Sequence, residues 1–158
     1  MTEREALAVL GGDDAKAAAR AEKALWDMWH RSGDRELDAL LREGIALMER
    51  RDLVGAEAIF ARMIAQAPTF AEGWNKRATV RYIAENYDGA IADCEETLAR
   101  NPHHFGALSG AGLCYMALGR HRDAAAMFRR ALAVHPRLGG ARQNLAVALG
   151  EAVRGNGH

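Results

Sequence analysis

Apolar and small side chains recur along this chain at intervals of three and four, the spacing that lays them on one face of an α-helix. The clearest stretch runs from Ala71 to His104. There Trp74, Ala78 and Tyr82 are followed, after a polar break, by Tyr87, Ala90, Ile91, Cys94 and Leu98, and Pro102 closes the unit. The pattern predicts two helices joined by a short turn. The flanking segments repeat it.

Ahead of the repeats, a short helix is predicted over residues 2–10, where Thr2 and Glu5 have capping-box spacing and Gly11 and Gly12 break it. Asp13 or Asp14 can cap a longer helix running to about His30, with Leu25, Trp26, Met28 and Trp29 gathered near its end. Gly33 ends that helix and Asp34 can cap the next. Thr69 and Glu72 also show capping-box spacing, Asn86 suits a left-handed turn position, and Gly119–Arg120 marks another turn. After Pro136, Gly139 and Gly140 loosen the chain before a final helix over ARQNLAVALGEAV, and residues 154–158 read as a disordered tail.

The three prolines, Pro68, Pro102 and Pro136, stand 34 residues apart. Laying 37–70, 71–104 and 105–138 over one another aligns Leu40 with Trp74 and Leu108, and Gly44 with Ala78 and Gly112. In the second helix, Ala56, Ala90 and Ala124 coincide, as do Phe60, Cys94 and Phe128, then Ile64, Leu98 and Leu132. Several columns agreeing at one offset are a far stronger signal than any single short motif.

On these residues the blocks resemble tetratricopeptide (TPR) repeats, and the GWNKRAT run resembles small stand-alone bacterial members of that family. The resemblance implies an all-α solenoid, wound as a right-handed superhelix. Residues 1–34 form an N-terminal helical cap over the exposed edge of the first repeat, 35–138 the three repeats, and 139–153 a C-terminal capping helix. The small residues of the first helix and the alanine of the second let the two helices touch, and the bulky residue four positions on fills the space between units. The chain departs from the family pattern at Arg77, Arg81 and Cys94, and Arg51 and Glu85 stand where Gly119 shows the usual turn glycine.

Within this frame one stripe is expected to face away from the packed interior. It comprises Leu41, Ile45 and Met48, then Asn75, Thr79 and Tyr82, then Ser109, Leu113 and Met116, continuing to Gln143 and Val147, with Arg42 and Lys76 at one margin. Methionine, tyrosine and branched aliphatics suit a groove for an extended peptide or amphipathic helix. Relatives that hold C-terminal carboxylates use a Lys/Asn/Arg clamp. This chain has Asn75 and Lys76, but Leu41, Ile45, Gly106 and Gly110 stand at other clamp positions, which speaks against a chaperone-tail clamp. Glu43 and Arg77 share a normally apolar column of adjacent repeats, so an inter-repeat ion pair is expected between them.

Composition narrows the function. Lys and Arg number 21 against 21 Asp and Glu, without the basic excess of a nucleic-acid binder. Cys94 and Cys114 fall at apolar helix positions and read as inert core thiols. The N-terminus has no long apolar run, giving no membrane insertion and a cytoplasmic expectation, or a periplasmic one if a leader has been removed. The six histidines, among them His103, His104, His121 and His135 in repeat turns, are expected to be solvated. No HExxH, CxxC, P-loop or catalytic triad motif occurs, so neither a metal, a cofactor nor an enzyme is expected. The leading reading is a non-catalytic adaptor that binds another protein. A self-assembling scaffold is the alternative, through the groove or the N-terminal helix, and a small-ligand or metal-binding regulator is a third.

Overall fold

The computed structural model describes residues 1–155. Among them the chain forms nine helices and no strand: α1 (Glu3–Leu10), α2 (Ala15–His30), α3 (Arg35–Glu49), α4 (Leu53–Gln66), α5 (Ala71–Ile83), α6 (Tyr87–Arg100), α7 (Phe105–Ala117), α8 (His121–Val134) and α9 (Ala141–Arg154). The starts are capped as their chemistry dictates. Thr2 and Glu5 make a capping box, and Asp14, Asp34, Asp52 and Asn86 each accept backbone N–H groups in the first turns of α2, α3, α4 and α6.

Three local expectations are corrected. Thr69 and Glu72 make no capping box: Phe70 precedes α5 without a side-chain cap, and Glu72 turns inward and is fully buried. Asn86 has an ordinary φ because it caps α6, and the left-handed position is the preceding Glu85, at φ 63°. Arg51 and Gly119 hold the same column with φ of 64° and 77°. The last helix begins from Gly140 at φ 77° and runs through Arg154, so this part of the expected tail is helical. Residues 156–158 of that tail lie outside the described residues.

Helices α3/α4, α5/α6 and α7/α8 pair in turn, successive pairs stack, and α9 packs on α7 and α8. The pairing follows from complementary volumes. A Cβ on Gly44 would come within 2.3 Å of the Phe60 ring, and one on Gly112 within 2.7 Å of the Phe128 ring. The middle pair narrows the difference in size, with Ala78 for the glycine and Cys94 for the ring, packed in one cluster. Ala56, Ala90 and Ala124 are all fully buried where the paired helices approach.

Arg77 does not pair with Glu43, which is exposed. Its guanidinium instead grips Asp93 of its own helix pair through two bonds of 2.9 Å. Arg81 bonds Asp93 at 3.2 Å and reaches Glu57 on α4 at 2.7 Å. A buried carboxylate needs a nearby cation, and Asp93, on α6 facing Arg77, is 1% exposed. The ion pair that crosses the repeat boundary is therefore Arg81–Glu57.

The N-terminal hairpin does not cover the outer edge of the first repeat. The α3/α4 core of Leu37, Leu40, Phe60 and Met63 forms without it. Instead α1 and α2 bury Ala6, Leu10, Ala21, Leu25 and Trp29 against Phe105, with Val134 and Leu138 alongside. Helix α2 thus lies across the inter-repeat turns. Near its N-terminus Arg137 donates to the Gly12 and Asp13 carbonyls, Glu22 contacts His135 at 3.0 Å, and at its C-terminus His30 approaches Glu72. Among the described residues no helix is long and apolar enough to cross a membrane.

Candidate functional site

Between α5 and α7 lies a pocket of about 230 Å³. Asn75, Ala78, Thr79, Tyr82 and Ile83 supply one wall, Gly106, Gly110, Leu113 and Cys114 the other, and Cys94 reaches in from α6. The lining is mainly hydrocarbon and thiol. Helix α7 has no side chain at two positions one turn apart, and the space left at Gly110 opens into the pocket. The aligned residues of earlier first helices are Asp38 and Glu72 for Gly106, and Arg42 and Lys76 for Gly110. A Cβ at Gly110 would meet only Cys94 Sγ, at 3.7 Å. At Gly106 the space is already taken, since the Trp26 ring would stand 2.6 Å from a Cβ there.

The two thiols are structural in chemistry. Burial pushes Cys94 up to about 12, with the neighbouring Cys114 and Asp93 adding to it, and burial alone pushes Cys114 up to about 11. Both stay protonated and unreactive at neutral pH.

Beside the pocket a polar cluster is sealed under α2. His104 accepts the Ala107 N–H at Nδ1, 3.0 Å away, so its hydrogen sits on Nε2, which donates to Glu72 Oε1 at 2.5 Å. Trp29 stacks on the His104 ring with centroids 4.7 Å apart, and Trp26 meets it edge-on. The second oxygen of Glu72 accepts from Asn75 Nδ2 at 3.2 Å and lies 3.6 Å from His30 Nε2. Burial by itself would raise the Glu72 carboxyl, but the His104 hydrogen bond, with Lys76 and His30, outweighs it and holds the group below its usual range. Burial is the larger influence on His30 and depresses it, against the pull of Glu72. Among the described residues no three His, Cys, Asp or Glu side chains gather as metal ligands would.

The chain is similar to known proteins in sequence and in fold. A family profile described as tetratricopeptide repeat matches residues 82–145. A TPR repeat-containing protein of Rhizobium etli is 30% identical over 124 residues, which is 78% of this chain and 60% of that protein's length. The matched region is tetratricopeptide repeat sequence. Solved TPR structures share its fold at low identity. The Sgt2 TPR domain of Aspergillus fumigatus has a TM-score of 0.74 at 19% identity, covering 78% of this chain and 83% of that one. The first TPR domain of Spaghetti, bound to an HSP90 peptide, has a TM-score of 0.72 at 19% identity, covering 74% and 93%. A MamA structure reaches 0.69 at 21% identity, covering 88% and 82%.

Within this fold the expected stripe divides. Asn75, Thr79, Tyr82 and Leu113 meet in the α5–α7 pocket. Leu41 is buried in the first-repeat core, with Ile45 and Met48 packed against it. Arg42 lines a separate polar hollow with Leu41, Asp38 and His30. Lys76 is drawn over the Trp26 ring, 5.9 Å from its centroid. Ser109 is half-buried, Met116 packs beside Leu113 near Phe128, and Gln143 lies exposed by a hollow at the start of α9. Sequence reasoning missed Ile83, Cys94, Gly106, Gly110 and Cys114 in the pocket. The legible signal was the pair of glycines one turn apart, in columns that carry charged residues elsewhere. It also missed the burial of His104 and His135, which the N-terminal hairpin covers.

Proposed function

We propose that this protein is a non-catalytic interaction module whose groove, formed by the first helices of successive repeats, receives a peptide or amphipathic helix of another protein. The observation that carries the reading is the apolar pocket between α5 and α7, with half-exposed Tyr82, Leu113 and Met116 and exposed Ile83 around it. Apolar surface of this kind, concave and edged by a few polar groups, suits side-chain anchors on a partner. The Spaghetti domain is described bound to an HSP90 peptide, and a yeast Sti1 TPR domain in a complex with an Hsp70 peptide, so the same fold serves peptide capture elsewhere. The residues we assign to the groove are Ile45, Met48, Asn75, Lys76, Thr79, Tyr82, Ser109, Leu113 and Met116, since Leu41 is buried in the first-repeat core and Arg42 and Gln143 lie by other hollows.

The test is a cross-linked pull-down from the native host with the wild type, Tyr82→Ala and Met116→Glu. Both variants are expected to lose the captured protein while keeping wild-type helical circular dichroism. Capture unchanged in both defeats the assignment. A second reading, association of copies of this chain, draws on Leu149 and Val153, which leave exposed apolar surface on neighbouring turns of α9. Light scattering separates the two, since a monomer at all concentrations removes self-assembly.

A further inference from the structure

Helix α9 lies in the register of a first helix. At the 34-residue offset its Arg142, Ala146 and Leu149 align with Leu108, Gly112 and Tyr115 of α7. On α7 that stripe receives α8: Leu108 and Gly112 are buried, and the Phe128 ring fills the space where a Cβ on Gly112 would stand. On α9 the same stripe, extended one turn to Val153, lies open, with Ala146 exposed, Leu149 at 37% and Val153 at 81% exposure. A helix that closes a solenoid needs a polar outer face, and this stripe is apolar over its last two turns. The charges beside it are of one sign. Arg122 and Arg129 of α8 line a hollow with Ala125, Leu149, Ala152 and Val153, and Arg142 stands at the head of the stripe. None of these three arginines enters an ion pair among the described residues. The neighbouring acids are already held, Asp123 by Arg120 and Glu151 by Arg154.

We infer that this face takes an acidic amphipathic helix of a partner protein, laid on α9 as α8 is laid on α7. The apolar side of that helix covers Ala146, Leu149 and Val153, and its carboxylates meet Arg122, Arg129 and Arg142. A second copy of this face would set arginine against arginine. A nucleic-acid backbone would meet the arginines and leave the hydrocarbon in water. The face shares no residue with the α5–α7 pocket, so the inference stands apart from the groove reading.

The probe is a synthetic peptide of residues 120–135, which carries α8 and its caps, with Arg122→Glu, Arg129→Glu and Arg130→Glu. It is set against the unaltered peptide, each titrated into the full chain by NMR. The acidic peptide is expected to shift the Ala146, Leu149 and Val153 amide resonances saturably, and to bind at least about tenfold more tightly than the basic one at low salt. In the protein, Leu149→Gln removes hydrocarbon without adding charge, and is expected to weaken the acidic peptide at least about tenfold with the thermal midpoint of the wild type retained. Arg122→Glu with Arg129→Glu, both at exposed sites, is expected to reverse the preference between the peptides. Equal binding of both peptides, binding of neither, shifts that survive Leu149→Gln at full strength, or a preference that charge reversal leaves unchanged overturns the inference. So does a dimer of the chain that Leu149→Gln dissociates, or a DNA duplex that shifts the same resonances. The groove reading is judged separately, by partner capture in Tyr82→Ala and Met116→Glu.

Discussion

Residue by residue, the chain shows how one repeat column tolerates different chemistry at different cost. The turn between paired helices needs a left-handed residue. Gly119 adopts it freely, whereas Arg51 and Glu85 adopt it against the clash of Cβ with the backbone. Glu85 is exposed and its side chain bonds to none of the described residues, so its replacement acts through the backbone strain. Glu85→Gly is expected to raise stability by about 0.5–1 kcal/mol, the relieved strain exceeding the added freedom of the unfolded chain. Urea denaturation at constant m-value checks this, and a lower midpoint would show that the turn is not strained. The volume pairs Gly44–Phe60 and Gly112–Phe128 follow similar logic, since each missing Cβ is the space a ring occupies. Gly44→Ala must push the Phe60 ring aside and is expected to cost about 1–3 kcal/mol, read from the same urea curves.

At the scale of elements, α2 matters more than its position near the N-terminus suggests. It brings Trp26 and Trp29 over His104 and leaves His30 beside the buried Glu72. His30 is depressed in the folded protein, so the unfolded chain takes up a proton first as the pH falls through about 6.5, and the fold loses stability there. Glu72 is held low, so its contribution persists above about 4.5 and is lost only with stronger acid. The prediction is a urea midpoint that falls between about pH 7.5 and about pH 5.5, with a smaller fall in His30→Gln. An identical fall in both proteins would exclude His30 as a contributor. The limits of α2 were legible in the sequence, because Asp14 and the apolar run ending at Trp29 are local signals. Its resting place was not. The amphipathic pattern reports that a face is buried and leaves open which surface buries it.

For the whole molecule, the hairpin ties repeats two and three together, touching Glu72 and His104 of the second and Phe105 and His135 of the third. Trp29 sits at that junction, buried, stacked on His104 and donating from Nε1 to Glu3 at 2.9 Å. Trp29→Ala is expected to cost about 3–5 kcal/mol and to lower the whole unfolding transition rather than to release one repeat. Calorimetry would show the alternative as a second, separate transition.

What the amino-acid sequence determined by itself was the helical repeat. Three prolines at one interval, with small and bulky residues in matching columns, leave an antiparallel helix pair as the unit and stacking as the way to bury its apolar face. Four of the ten residues lining the pocket were legible for the same reason: Asn75, Thr79 and Tyr82 share a stripe of α5, and Leu113 holds the matching column on α7. Only the tertiary structure decided the rest. Whether Arg77 meets Glu43 or Asp93 depends on which helix stands opposite at side-chain reach, and it takes the arrival of Cys94 and Trp26 from other helices to leave open the space at Gly110 and fill that at Gly106. These are contacts between residues far apart in sequence, and periodicity within a single helix carries no information about them.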